Sequence, residues 1–436
     1  MAARRMTDMA FTCQHKRDKN GFVLVTAMIL AGIAAMLVFG LQNESLTQVK
    51  ITARQEALEE ALFVAEGGCA LCLSHVMAGN SIPASINGTL GEGTYTASVC
   101  VQGNTAQLNY TLCSTGLVRG VRRVVTMDYV RSRSWAEFAL WYDHYNGTIN
   151  FVTGDNFRGK VHANDYIYIS GSPVFQQILT SAKTTWGAGP GSGVFSNGYT
   201  LGVNPMVMST VNFTNAASTQ DCLKVLASLV VTGATTISMA DTNFFISNAA
   251  RGWTNYNWGA SHAATMTNGE VYVATSGTQT GSLNIAGTLN GRLTIVTDGT
   301  INITNHIRYA DNPQTNAASN DALGLITQSD IIVATNCPAN LDIYAHMIAT
   351  GAATGSTNDG MFTVANYDTR PQSSCSNLNV YGGIVEYYRG PVGTSGGSGT
   401  GYLKNYIFDT RFKNNPPPNY PAVGDQFYWG GWRDSP

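Results

Sequence analysis

The chain has 436 residues, enough for about three domains and a sizeable core. Only 12% of them are charged, about half the ~25% usual in soluble domains, while 44% are hydrophobic and 46 are glycine, the balance of a secreted β-rich protein. A net charge of -2 removes the electrostatic basis for nucleic-acid binding, and the hydrophobic content excludes an acidic disordered chain.

The N-terminal segment is basic, with Arg4, Arg5, Lys16, Arg17 and Lys19, and it runs into a 20-residue apolar stretch from Phe22 to Leu41 whose only polar side chain is Thr26. That length spans a bilayer as a helix. Beyond it the charge turns acidic at Glu44, Glu56, Glu59, Glu60 and Glu66, so the positive-inside rule keeps the N-terminus cytoplasmic and exports the rest. An ordinary cleaved signal fits poorly, because the apolar run is long and no small-residue cleavage site follows it. From Gln42 to about Ala78 there is no proline, and Leu46, Val49, Ala53, Leu58, Leu62, Ala65, Cys69, Cys72 and Val76 recur at spacings of mostly three or four. The whole segment predicts one helix on the order of 85 Å long, half apolar all round and half amphipathic.

Residues 92 to 130 read as three alternating strands broken by Gly and Asn turns, a meander that needs the amphipathic half-helix as its cover. After Trp135 the pattern becomes short β-rich runs between turn residues. Phe151-Val152-Thr153, Ile295-Val296-Thr297 and Leu325-Ile326-Thr327 share one form, and the runs beginning at Leu341 and Leu378 align over eight residues at an offset of 37. Recurring units that cannot bury themselves alone predict a stacked β-solenoid, with a β-sandwich as the alternative. Residues 176 to 265, with the segment DCLKVLASLV, read as an inserted excursion carrying one short helix. The expected fold is α+β and mostly β: a long N-terminal helix over 22–78, a small antiparallel sheet over 79–134, and a β-solenoid domain over 135–436.

Cysteine is the first candidate for chemistry. Cys13 precedes the membrane segment, and seven others lie in an exported chain, where disulfides form. Cys69 and Cys72 make a CxxC late in a helix, away from the N-terminal position that stabilises a redox thiolate. A zinc site with Cys100 and Cys113 lacks a second close-spaced pair. Disulfides from the helix to the sheet among these four are therefore expected, and Cys337 and Cys375, at similar distances before the two repeated strands, are placed to bridge neighbouring coils. Lys160, His162, Asn164 and Asp165, with Asp155 nearby, bring a base, an amide and carboxylates together, a combination that parallel β-helix lyases use for calcium and proton abstraction. The cluster is sparse, and Asp or Asn in such turns usually supports backbone geometry. No catalytic residue, metal site or cofactor is assigned, and no nucleophile elbow, HExxH, P-loop or EF-hand loop occurs. Pro416, Pro417 and Pro418, followed by Phe427, Tyr428, Trp429 and Trp432, predict an extended piece and an aromatic cluster. That cluster either closes an open solenoid end or offers Trp429 and Trp432 to a glycan.

The basic leader ending in Gly21, followed by Phe22 and the long spine, resembles the class III signal of type IV pilins and pseudopilins. The resemblance is close over roughly residues 16 to 78 and loose over the next fifty. It implies cleavage after Gly21 by a prepilin peptidase and methylation of the new N-terminal Phe22. The segment ALEEALFVAEGG is similar to that of PilX-type minor pilins. Two departures stand out: the leader over 1–21 is long, leaving Met6 and Met9 as candidate starts, and Thr26 stands where most pilins carry a glutamate that pairs with a neighbour's terminal amine. The missing carboxylate resembles tip-capping pseudopilins and some minor pilins. The resemblance thus implies a minor pilin-like component of a type IV pilus or pseudopilus, not an enzyme, acting in pilus assembly and adhesion at the tip. Such a subunit would sit in the inner membrane before assembly and at the pilus or cell surface after it, with prepilin peptidase, other pilins and surface glycan as partners. The alternatives are a membrane-anchored polysaccharide-degrading β-helix enzyme, a plain surface adhesin, or a plain single-span anchor.

Overall fold

A computed structural model describes residues 19–77, 85–102 and 109–435, apart from 146, 148, 207, 209–210, 215–221, 259–268, 352–358, 395–398, 414 and 429–430. One uninterrupted helix, α1 (Lys19–Met77), has 59 residues and is therefore about 88 Å long. Among the described residues its first half has no packing partner: the side chains from Phe22 to Leu41 are almost all exposed, in a window of mean hydropathy 2.7. Thr26 hides its hydroxyl inside the helix by donating to the carbonyls of Phe22 (2.9 Å) and Val23 (3.0 Å), the arrangement a polar group needs where no water can reach it.

The second half lies on a sheet through small residues. Ala57, Ala61, Val64, Ala65, Cys69 and Cys72 are buried, whereas Leu46, Val49 and Ala53 of the predicted stripe are exposed and Leu58 and Leu62 flank the contact. The physical reason is distance. A Cβ on Gly116 would lie 2.1 Å from the Ala61 carbonyl oxygen, and one on Gly68 2.3 Å from Ser114 Oγ, so helix and sheet approach more closely than leucines allow.

The sheet beneath is antiparallel: β1 (Ile86–Leu90), β2 (Gly93–Gln102), β3 (Asn109–Val118) and β4 (Val121–Ser134). Arg119 (φ 47°) and Gly120 (φ 79°) make the β3–β4 turn, both with the positive φ that a tight hairpin of this hand requires. The sequence predicts three strands here, but the described residues form six. β1 is one addition; the other two, Ala422–Tyr428 and Trp432–Ser435, come from the chain's end and pair with β4. They cover the edge that a 14-residue strand would otherwise leave open. The last two strands, which the sequence groups with the domain expected over 135–436, therefore pair in the helix-backed sheet.

After a 3-10 turn (Trp135–Glu137), β5 (Phe138–His144) enters a second, 21-stranded sheet made mainly of parallel pairs. Two long ladders run through it. In the first, Tyr199–Leu201, Leu179–Ser181, Lys160–Ala163 and β5 follow one another, and β5 then pairs with the second half of Asn377–Tyr388. The ladder continues through Leu341–Ala349, Ala322–Thr327, Arg292–Thr297 and Gly269–Ala274 to Leu229–Thr232. The second ladder repeats the order from Val194–Phe195 through Val174–Phe175, Asn156–Arg158 and Leu403–Phe408 to Thr235–Asp241. The chain thus enters in the middle, builds rungs outward to residue 201, reappears at the far end at residue 229, and returns until Leu403–Phe408 meets Asn156–Arg158. The segment 176–265 contributes rungs at both ends as well as the short helix Leu223–Leu226. Its rungs escape a pattern search because those at the first end are only two or three residues long.

The repeats have a structural meaning. Leu341 faces Leu378 in register, and Ile295, Val296 and Thr297 face Leu325, Ile326 and Thr327. The recurring threonine closes the corner after each strand: Thr297 donates to the carbonyls of Val273 (3.2 Å) and Gly281, and Thr327 to that of Gly299. Inward side chains of the two ladders form the main core, from Phe157 and Phe175 to Ile285 and Val380. The first ladder is buried on its outer face too, which is why Gly269–Ala274 and Arg292–Thr297 show no polar alternation. Two segments cover it: Met206, Met208, Phe213 and Leu223 from the connection between the ends, and Phe412 and Tyr420 from the strap leading to the last strands.

Candidate functional site

Three groups of residues were candidates for function, and the structure disperses two of them. Lys160 and His162 alternate with the core residue Val161 and so point to the outer face of the first ladder. His162 is buried against Trp141 (6.4 Å between ring centroids, stacked), with its ring nitrogens engaged by Thr180 Oγ1 (2.8 Å) and Asn164 Oδ1 (3.0 Å). Burial lowers its pKa. Asn164 in turn binds Asp143 (2.6 Å) and both backbone groups of Met206, fixing the connecting segment. Lys160 pairs with Glu137 (3.6 Å) and Asp165 with Lys183 (3.6 Å).

Asp155 is on the other side of the wall. Fully buried, it accepts from Lys404 Nζ (2.8 Å), Lys404 N (3.0 Å) and Val152 N (3.0 Å). Beside it Arg389 donates to the Ile149 carbonyl (2.9 Å) and lies 3.8 Å from the Phe151 ring centroid. Burial pushes the neighbouring Glu386 carboxyl up to about 8, against the hydrogen bonds that it accepts from Phe362 N and Gly390 N (3.0 Å each). These charges stitch the seam at which the first rungs meet the last. No group of three or more metal-ligating side chains occurs among the described residues.

The cysteines differ from expectation. Cys69, Cys72, Cys337 and Cys375 are buried free thiols, as is Cys222, so neither the helix-to-sheet bridges from Cys69 and Cys72 nor the bridge between neighbouring rungs is present. Cys69 points at the Val125 carbonyl (3.7 Å) and Cys337 at that of Ile303 (3.2 Å), each a small apolar filler of its core. Burial pushes Cys69 up to about 12, the opposite of an activated thiol. Cys113 is disulfide-bonded, and the side chain of Cys100 lies outside the described residues. Trp432 is half-exposed, opposite Met127 on β4, with Trp429 outside the described residues.

What remains is α1. Its apolar half is long enough to cross a bilayer and none of its hydropathic window is buried, while the other half is fixed to a six-stranded sheet. Phe22 is exposed near the start of the described helix, directly after Gly21.

No protein-family model and no curated protein matches this chain. Among solved structures it is similar to the competence-associated pilin ComZ from Thermus thermophilus, at 13% identity over 87% of this chain and 97% of that one, with a TM-score of 0.33.

Proposed function

We propose that this chain is a minor pilin-like subunit of a type IV pilus or related pseudopilus, anchored by its helix in the inner membrane until assembly. The observation that carries the reading is the division of α1. One half is an apolar cylinder with no partner among the described residues, and the other is welded by alanines and glycines to an antiparallel sheet. A plain anchor needs the first half alone; a filament subunit needs the second to hold a rigid head at a fixed distance from a helical core. Prepilin peptidase cleavage after Gly21, methylation of Phe22 and PilX-type kinship belong to this reading on the strength of the leader and of ALEEALFVAEGG.

Thr26 favours a tip position. Its hydroxyl is consumed by its own helix, so the subunit brings no carboxylate to pair with a neighbour's terminal amine. The stacked parallel ladders are read as a β-solenoid displayed on the head, serving surface recognition rather than turnover, with surface glycan as the partner class and Trp432 as an exposed contact. Labelled protein in sheared filaments tests the placement. Signal at filament ends supports it, and even labelling along filaments, or none in the filament fraction, contradicts it.

A further inference from the structure

The two ends of the parallel stack are finished differently. At one end the outermost strands are covered. Thr235–Asp241 pairs with the antiparallel strand Asn243–Asn248, which pairs with Trp253–Asn257. Arg251 Nη2 and Asn248 Nδ2 donate to the Val230 and Thr232 carbonyls of the neighbouring edge (2.7 and 2.9 Å). At the other end, among the described residues, Val194–Phe195 pairs with Val174–Phe175 alone and Tyr199–Leu201 with Leu179–Ser181 alone. Among the described residues, nothing pairs with their second edges.

Open edges are normally protected by charge, proline or a covering element. This one has none of these in its strands, and from Thr184 to Gln220 the sequence contains no Asp, Glu, Lys, Arg or His. The aromatic core also stops at the surface. Phe157, Phe175 and Phe195 form a stacked ladder with centroid spacings of 5.2 and 5.4 Å and interplanar angles of 10° and 2°. Trp186 and Tyr199 close on the last ring at 5.8 and 5.1 Å, leaving Val194 48% and Tyr199 46% exposed.

We propose that this end is a docking edge for an extended, uncharged segment of a partner polypeptide, which adds as the next parallel strand and stacks an apolar or aromatic side chain on Phe195. Backbone and side chains ask for the same occupant. The open strands offer amide donors and acceptors at strand spacing, which another strand satisfies. The phenylalanine ladder fixes where that strand's apolar residue falls, and the absence of charge matches an uncharged segment. Head-to-tail stacking of two copies is blocked, because the opposite end carries its covering hairpin.

The test uses the full chain in detergent and a labelled, end-blocked peptide copying residues 171–181, the rung to which this edge already pairs. Fluorescence anisotropy should show saturable one-to-one binding. Val194→Lys in the protein, or Phe175→Asp in the peptide, should weaken it at least tenfold, while Thr236→Lys at the covered end should not. If Val194→Lys alters the far-ultraviolet circular dichroism, Tyr199→Lys takes its place. Absence of saturable binding to the folded chain, or binding indifferent to both lysine variants, overturns the proposal. So does a twofold mass in light scattering that Val194→Lys abolishes, which would make a second copy the occupant. None of these outcomes depends on whether the chain assembles into a pilus.

Discussion

Replacing Lys404 by Met probes the seam that holds the middle of the stack together. The substitution keeps most of the side-chain volume and removes the charge that faces Asp155 at 2.8 Å. Asp155 would retain only the Val152 and Lys404 backbone donors in a site where its side chain has no exposed surface. Removing one partner of a buried ion pair costs about 3–5 kcal/mol, chiefly because the other charge is stranded. For a domain of this size each kcal/mol moves the melting temperature by about 2 °C, so Lys404→Met should lower it by about 6–10 °C. Adding Asp155→Asn removes the stranded charge, and the double variant should recover at least half of the loss. Differential scanning calorimetry of the detergent-solubilised chain at pH 7 measures the cycle. Hydrogen exchange should show the loosening first in Asn156–Arg158 and Leu403–Phe408, the strands that meet at the seam. A shift below about 2 °C for Lys404→Met, or single-variant losses that simply add in the double variant, would refute the claim that this pair joins the two halves.

Stability should also depend on pH through two groups of opposite sign. His346 is fully buried between Tyr420 and the Phe138 carbonyl, and burial lowers it to about 3; the unfolded chain binds its proton near 6.5, so stability falls as pH drops below about 6.5. Glu386 is raised to about 8, so the folded chain holds a proton that the unfolded chain has released above about 4.5, and stability falls as pH rises from 4.5 to 8. Urea midpoints should therefore plateau between about pH 4.5 and 6.5; His346→Gln should flatten the acid limb and Glu386→Gln the basic one. Gly116→Val should push α1 off its sheet, since the Ala61 carbonyl occupies the space, costing about 1–3 kcal/mol and speeding proteolysis between α1 and β1. Trp432→Ala should weaken adhesion to glycan-coated surfaces by about 1–3 kcal/mol if sugar rings stack as bases do, without changing the melting temperature.

Much of this architecture is legible in the sequence because it rests on local signals. The apolar run from Phe22 to Leu41 and the proline-free stretch behind it predict a single helix, and α1 follows them without a break. The offset of 37 between the runs at Leu341 and Leu378 is the register of two adjacent parallel strands. Other features depend on contacts far apart in the chain. The pairing of β5 with a strand about 240 residues later leaves no periodic trace, and nothing in Trp432–Ser435 announces β4 as its partner. The bridge expected between Cys337 and Cys375 is absent for a related reason. Similar distances before two repeated strands place Cys337 and Cys375 in one core, where small apolar side chains suffice. The helix stripe misled because hydrophobicity alone favours leucine, whereas the contact is set by how closely Gly68 and Gly116 let the two backbones approach. The far end of the stack did have a sequence signal, the charge-free run from Thr184 to Gln220, but its meaning appears only once Val194–Phe195 is seen to have one strand neighbour among the described residues.

The central claim is that α1 is the spine of a filament subunit, and the mature N-terminus tests it most directly. Intact-mass spectrometry of the chain purified from membranes of cells with an active prepilin peptidase should give a protein that begins at Phe22 and carries one methyl group. A chain that begins beyond Leu41, or one that retains the residues before Phe22 in such cells, would contradict it.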